Sequence, residues 1–92
     1  MSQTVLRQMR IVNVKGLHAR ASAKLAEVVE AYEAQATVRK DGHEAAGDSI
    51  MGLLMLAASM GTLIEVETWG PQAEPLADAI EALVSDKFGE GN

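Results

Sequence analysis

Residues 5–12 place Val5, Met9 and Ile11 on one side of an extended segment, with Arg7 interrupting the row near its start, so the spacing predicts a strand. From Ala19 to about Tyr32 the period lengthens. Leu25, Val28, Val29 and Tyr32 fall at i, i+3, i+4 and i+7 while Glu27, Glu30 and Glu33 lie elsewhere, the pattern of an amphipathic helix. Residues 35–47 hold two short extended segments around Asp41-Gly42, a pair that tolerates positive φ and predicts a hairpin, with His43 as an exposed residue just past the turn. Ser49 then stands as N-cap before the apolar run from Ile50 to Ala58, read as a short helix that ends before Gly61. Residues 62–68 alternate again, Ile64 and Val66 against Glu65 and Glu67, as in a sheet with one wet face. After Gly70-Pro71, Pro75 opens a last helix in which Leu76, Ala79, Ile80 and Leu83 keep helical spacing as far as Lys87. The tail, Gly89-Glu90-Gly91-Asn92, reads as frayed.

The order is therefore βαββαβα. Strands with one covered face call for helices on a single side, which predicts an α/β (α+β) fold: a two-layer open-faced sandwich of a four-stranded antiparallel sheet with three helices on one face. A ferredoxin-like fold with an added helix is the structural alternative. The second helix is apolar nearly all round, more than one small layer buries. Ile50, Met51 and Leu54 are expected to be exposed as a contact patch, and Leu53 and Leu56 to enter the core.

Length and composition narrow the class. Ninety-two residues without repeats or linkers suit a single domain over 1–92. There is no cysteine, so disulfides and thiolate metal sites are excluded, and no metal-ligand set surrounds His43. No apolar run approaches the roughly 20 residues needed to span a bilayer, and Met1-Ser2-Gln3-Thr4 leads into no apolar signal segment, so the expectation is a cytoplasmic protein without membrane insertion. Charge is unevenly placed within the net −5. The first 40 residues hold seven of the eight basic groups, and the remainder holds ten acidic groups against Lys87. Such an acidic chain with three aromatic residues does not suit a nucleic-acid surface. A local basic cluster of Lys15, Arg20 and Lys24 suits an anionic ligand or an acidic partner.

That cluster surrounds Lys15-Gly16-Leu17-His18-Ala19-Arg20-Ala21, where the first strand gives way to the first helix behind a glycine that permits a tight bend. The first N–H groups of a helix lack intrahelical partners and the helix dipole adds partial positive charge, so an anion is stabilised there. A histidine in that field favours the neutral ring, with a lone pair free to act as base, ligand or nucleophile. Arg20 adds a planar fork suited to phosphate oxygens. Together they suit a histidine that accepts a phosphoryl group. One histidine and one arginine without a paired base make an acceptor and not a stand-alone enzyme.

Gly16-Leu17-His18-Ala19-Arg20, followed at the matching distance by Asp48-Ser49-Ile50-Met51-Gly52-Leu53-Leu54, resembles the histidine-containing phosphocarrier protein (HPr) family of the bacterial phosphotransferase system, which includes the NPr branch. The resemblance runs through nearly the whole chain. It implies that His18 accepts a phosphoryl group through Nδ1 from phospho-enzyme I, itself charged by phosphoenolpyruvate, and passes it to a IIA protein or domain. Arg20 is then the partner of the phosphoryl group, with Gly16 and Ala19 shaping the turn around it. Ser49 takes the position of a regulatory serine that an HPr kinase/phosphorylase modifies. The implied docking surface joins His18, Ala19, Arg20, Ala23 and Lys24 to Ile50, Met51 and Leu54, on a monomer that uses no cofactor. The alternative is a regulatory protein-binding module of a nitrogen-type phosphotransferase system, signalling through its phosphorylation state. One departure stands out: Ala21 replaces the family's usual proline, which removes a constraint on the first turn and adds a backbone N–H, and is expected to alter phosphohistidine lifetime or transfer rate.

Overall fold

Strand β1 (Thr4–Arg10) lies at one edge of a four-stranded sheet, beside β4 (Leu63–Trp69), then β2 (Gln35–Lys40), with β3 (His43–Ala46) at the other edge. All pairs are antiparallel. The helices are α1 (Ala19–Glu30), α2 (Ile50–Met55) and α3 (Ala73–Ser85), and a 3-10 turn follows at Lys87–Gly89. The structure is a computed structural model that describes residues 4–91. The readings that touched Met1-Ser2-Gln3 and Asn92 lie outside the described residues. The expected βαββαβα order and open-faced sandwich are both present.

Register explains which side of the sheet is covered. Met9 pairs with Ile64, Val38 with both Val66 and Ala45, and Ala36 with Thr68, so one row of side chains runs across all four strands into the core. Leu25 and Val29 of α1, Leu53 of α2, and Leu76, Ile80 and Val84 of α3 close over that row. On the open face Arg39 holds three carboxylates: Glu44 at 3.0 Å, Glu65 at 3.3 Å and Glu67 at 2.7 Å. Asp41 and Gly42, at φ +50° and +81°, make the expected β2–β3 turn, and Lys40 pairs with the exposed His43.

Four expectations are corrected. The β1 ladder ends at Arg10, although Ile11 still exchanges backbone bonds with Gly61 and Thr62. Arg7 remains in the inward row because β1 is an edge strand under α3: its guanidinium reaches past the core to Asp78 at 2.6 Å and Glu81 at 2.9 Å. Helix α2 stops at Met55, since Ala57 takes a left-handed φ of +52° and turns the chain. The apolar run continues because Leu56 and Ala58 are buried in the segment beyond the helix, where helix periodicity no longer applies. Helix α3 begins at Ala73, with Pro75 inside the first turn where no intrahelical N–H is required. Gln72 fixes that start by donating its N–H to the Glu33 carbonyl and accepting the Glu33 N–H on Oε1, at 2.9 and 2.7 Å. The tail, finally, is not frayed as far as Glu90: Phe88 is fully buried, and Lys24 Nζ donates to its carbonyl at 2.6 Å. Among the described residues no helix is long and apolar enough to cross a membrane.

Candidate functional site

A backbone contact between two loops delivers the central histidine. Leu17 is buried and its N–H donates to the Ala58 carbonyl at 2.9 Å, which joins the loop before α1 to the segment after α2. Gly16, at φ +68°, lies against the same carbonyl, so a side chain there would collide with backbone. Asn13, fully buried, donates Nδ2 to the Gly16 carbonyl at 2.8 Å and holds the turn from beneath.

His18 emerges as the N-cap of α1, extended at φ −77° and ψ −176°, with its carbonyl accepting the Ser22 N–H at 2.8 Å. Its Nδ1 accepts the Arg20 N–H at 3.3 Å, doing for this helix what a serine or aspartate oxygen does for most. That bond needs a lone pair on Nδ1. In the neutral ring the proton is then on Nε2, which donates to Oε2 of Glu90. The other oxygen of Glu90 accepts Asn13 Nδ2 at 3.0 Å. The hydrogen bond from His18, then that from Asn13, holds the Glu90 carboxyl below the ordinary glutamate value against the opposing effect of desolvation, and the nearby Lys15 charge acts in the same direction.

Two concavities meet at the ring. One, of about 520 Å³, is lined by Lys15, His18, Ala19, Arg20, Lys24, Gly89 and Glu90, so three cations surround it. The other, of about 300 Å³, runs from Lys15, Leu17 and His18 to Leu54 and the Ala57–Ser59 segment behind α2. A ring whose Nδ1 lone pair lies at a helix N-terminus, beside an exposed arginine, is arranged to take up an electrophile that brings negative charge with it. Among the described residues no three His, Asp or Glu side chains are grouped to hold a metal.

The chain is similar in sequence and fold to known proteins. A family model described as "PTS HPr component phosphorylation site" matches residues 5–86. The phosphocarrier protein HPr of Cupriavidus necator is 42% identical over 92% of this chain and 96% of its own. The phosphocarrier protein NPr of Escherichia coli is 41% identical over 95% of this chain and 98% of its own. The chain belongs to the HPr phosphocarrier family of the phosphotransferase system. Among solved structures, HPr from Thermoanaerobacter tengcongensis superposes with a TM-score of 0.89 at 31% identity, covering 94% of this chain and 97% of that one. HPr from Bacillus anthracis gives 0.84, also at 31%, over 88% and 96%.

Within the HPr fold the residues singled out from sequence separate into two groups. His18, Ala19 and Arg20 gather at the start of α1, with Ala19 and Arg20 exposed. Ile50 and Met51 are 43% and 69% exposed on α2, and Leu54, half-buried, borders the smaller concavity. Met55, not anticipated, is 78% exposed and extends that apolar surface. Leu53 and Leu56 are buried as expected. The Lys24 ammonium is bound to the Phe88 carbonyl, on the flank of α1 that meets the C-terminal tail, and its side chain borders the larger concavity with His18 and Arg20. Ala23, half-buried, lies one turn on from the exposed Ala19, at i, i+4. Ser49 caps α2, with Oγ accepting the Gly52 N–H at 3.0 Å. Asn13 and Glu90 were missed altogether. Glu90 is 72 positions from His18, and no local spacing marks that pair; the lone Phe88 just before a Gly-Glu-Gly tail is the signal that an anchor was present.

Proposed function

We propose that the protein is a phosphocarrier that accepts a phosphoryl group on His18 Nδ1 from phospho-enzyme I and hands it to a IIA protein or domain. The observation that carries this is the His18 cap: the ring presents Nδ1 with its lone pair toward the first N–H groups of α1, two residues from the Arg20 guanidinium. Arrival of the phosphoryl group would exchange a nitrogen lone pair for phosphate oxygens at the same helix end, and those oxygens accept from the N–H that Nδ1 releases. Arg20 supplies the permanent cation. Ile50, Met51, Leu54 and Ala23 offer the apolar surface on which enzyme I and IIA dock in turn, and Gly16 and Ala19 shape the turn that presents His18. The protein acts as a single cytoplasmic domain and a monomer, without cofactor.

Ser49 is proposed as a regulatory site for an HPr kinase/phosphorylase. A phosphoryl group on Oγ keeps acceptor oxygens within reach of the Gly52 N–H, so the fold tolerates it, while its charge beside Ile50 and Met51 repels an acidic partner. A second reading is a nitrogen-type carrier that signals through its phosphorylation state; the 41% identity to an NPr over nearly the whole chain favours it as much as the HPr relatives favour sugar transport.

The test is incubation with enzyme I and phosphoenolpyruvate. An acid-labile adduct is expected on the wild type and not on His18→Ala; no adduct, or an adduct that survives His18→Ala, sinks the carrier reading. Adding ATP and an HPr kinase to wild type and Ser49→Ala tests the second site, and equal incorporation removes Ser49 from it.

A further inference from the structure

Nothing in the motif around His18 requires a residue from the far end of the chain, yet the fold takes trouble to bring one. Lys87, Phe88 and Gly89 adopt successive left-handed conformations, at φ +57°, +55° and +76°. Two of these are not glycine, and for such residues that region is sterically disfavoured. Burial of Phe88 and the bond from Lys24 to its carbonyl hold the segment in place. The outcome is that the chain reverses and Glu90 meets His18, its side chain only 12% exposed.

We propose that Glu90 is a positioning residue for phosphoryl acceptance, selecting the ring tautomer in which Nδ1 is the nucleophile. This rests on the carrier reading of His18. The two oxygens of Glu90 answer two donors at once, His18 Nε2–H and Asn13 Nδ2–H. Only a carboxylate does this. A glutamine offers one oxygen and one NH2, so whichever way its amide turns, an N–H faces an N–H. With the opposite tautomer, Nδ1–H would face the Arg20 N–H and Nε2 would turn a lone pair toward the carboxylate, two repulsive contacts in place of two bonds. The carboxylate and the helix end thus fix the same tautomer from opposite sides of the ring.

The chemistry balances without another participant. The Nδ1 lone pair forms the N–P bond as the bond from phosphorus to its donor atom on phospho-enzyme I breaks, and that electron pair returns to the donor. Nε2 keeps its proton, so the newly phosphorylated ring carries formal positive charge, and the Glu90 carboxylate lies against it. Lys15 and Arg20, which line the same cleft, are left to face the phosphoryl oxygens.

The test uses the full chain with Glu90→Gln and Glu90→Asp. Nitrogen-15 NMR of the His18 ring is expected to show the Nε2–H form in the wild type, a mixture in Glu90→Gln, and recovery toward the wild type in Glu90→Asp. The rate of phosphoryl acceptance from phospho-enzyme I is expected to fall between about 10-fold and 100-fold in Glu90→Gln, the scale found for carboxylates that orient metal-bound histidines, with the KM for enzyme I unchanged. An unchanged tautomer in Glu90→Gln overturns the proposal, and so does a changed tautomer with an unchanged rate. A wild type that accepts no phosphoryl group removes the carrier reading itself, whereas a wild type and a Glu90→Gln variant that accept equally remove only the role of Glu90.

Discussion

Gly16 lies so close to Ala58 that a Cβ added to it would come within 2.5 Å of the Ala58 carbonyl oxygen and 2.9 Å of Ser59 Cα. The neighbour is backbone and cannot swing aside. Gly16→Ala therefore combines a left-handed φ with a clash, and is expected to cost about 2–4 kcal/mol in urea unfolding, or roughly 10–25 °C in Tm. Gly42→Ala makes the comparison: φ is +81° there but nothing lies within 4 Å, so only the conformational cost of about 1 kcal/mol remains. Equal losses in the two variants would show that the Gly16–Ala58 approach is not tight.

Helix α2 spans six residues, of which Leu53 alone is buried. Leu53→Ala is expected to destabilise by about 2–5 kcal/mol. The loss should be felt locally first, with amide exchange rising across α2 and the Leu17–Ala58 bond before it rises in β1 and β4. Uniform protection loss across the sheet would contradict this.

Ser49→Ala removes the oxygen that caps the Gly52 N–H and is expected to lose about 0.5–2 kcal/mol in chemical denaturation. Ser49→Asp restores an acceptor at that end and should lie within a few tenths of a kcal/mol of the wild type. If the two variants lose equally, Ser49 is not acting as a cap.

The Glu90 carboxyl, held low by His18 first and Asn13 next, gives stability a sign that pH can read. Its folded value lies below the unfolded one, so its contribution is fully present above the ordinary glutamate value near 4.5 and is lost as pH falls through the lowered folded value. The difference in stability between wild type and Glu90→Gln should be constant on the upper side of that window and shrink on its acid side. A gap that widens toward low pH would contradict the contact.

On the open face, Arg39 is, among the described residues, the one cation bound to Glu44, Glu65 and Glu67. Arg39→Met leaves three carboxylates on adjacent strands. Stability is expected to fall, and to fall more at low salt than in 1 M sodium chloride, because exposed charges are screened within a few ångströms at that strength. A loss independent of salt would point to packing by the arginine stem instead.

The strands, the first helix and the start of α1 were legible because each repeats a short-range pattern: Ile64 and Val66 against Glu65 and Glu67, Leu25 through Tyr32, and a glycine before a histidine at a helix start. Boundaries were lost where apolar residues serve something other than a helix. Ala58 looks like one more turn of α2, but it is buried because its carbonyl holds Leu17. Arg7 looks like a flaw in β1 until α3 brings Asp78 and Glu81 to the sheet edge. In the site, His18 and Arg20 were legible because they are neighbours on one turn. Glu90 was not, since its place depends on a buried Phe88 and three left-handed residues, and a Gly-Glu-Gly tail carries no periodicity that shows it.

The lone pair that caps α1 is, in the proposed carrier, the same lone pair that takes up the phosphoryl group. Helix folding and group-transfer potential are then one thermodynamic cycle. A cap is worth about 1 kcal/mol, so exchanging the nitrogen cap for a phosphate cap of different strength moves the equilibrium between this carrier and its donor by roughly 5-fold for each 1 kcal/mol. Substitutions in the first turn of α1 that never touch phosphorus, at Ala19 or Ala21, would in this way retune how readily the protein is loaded and unloaded, with the backbone acting as a dial on the chemistry.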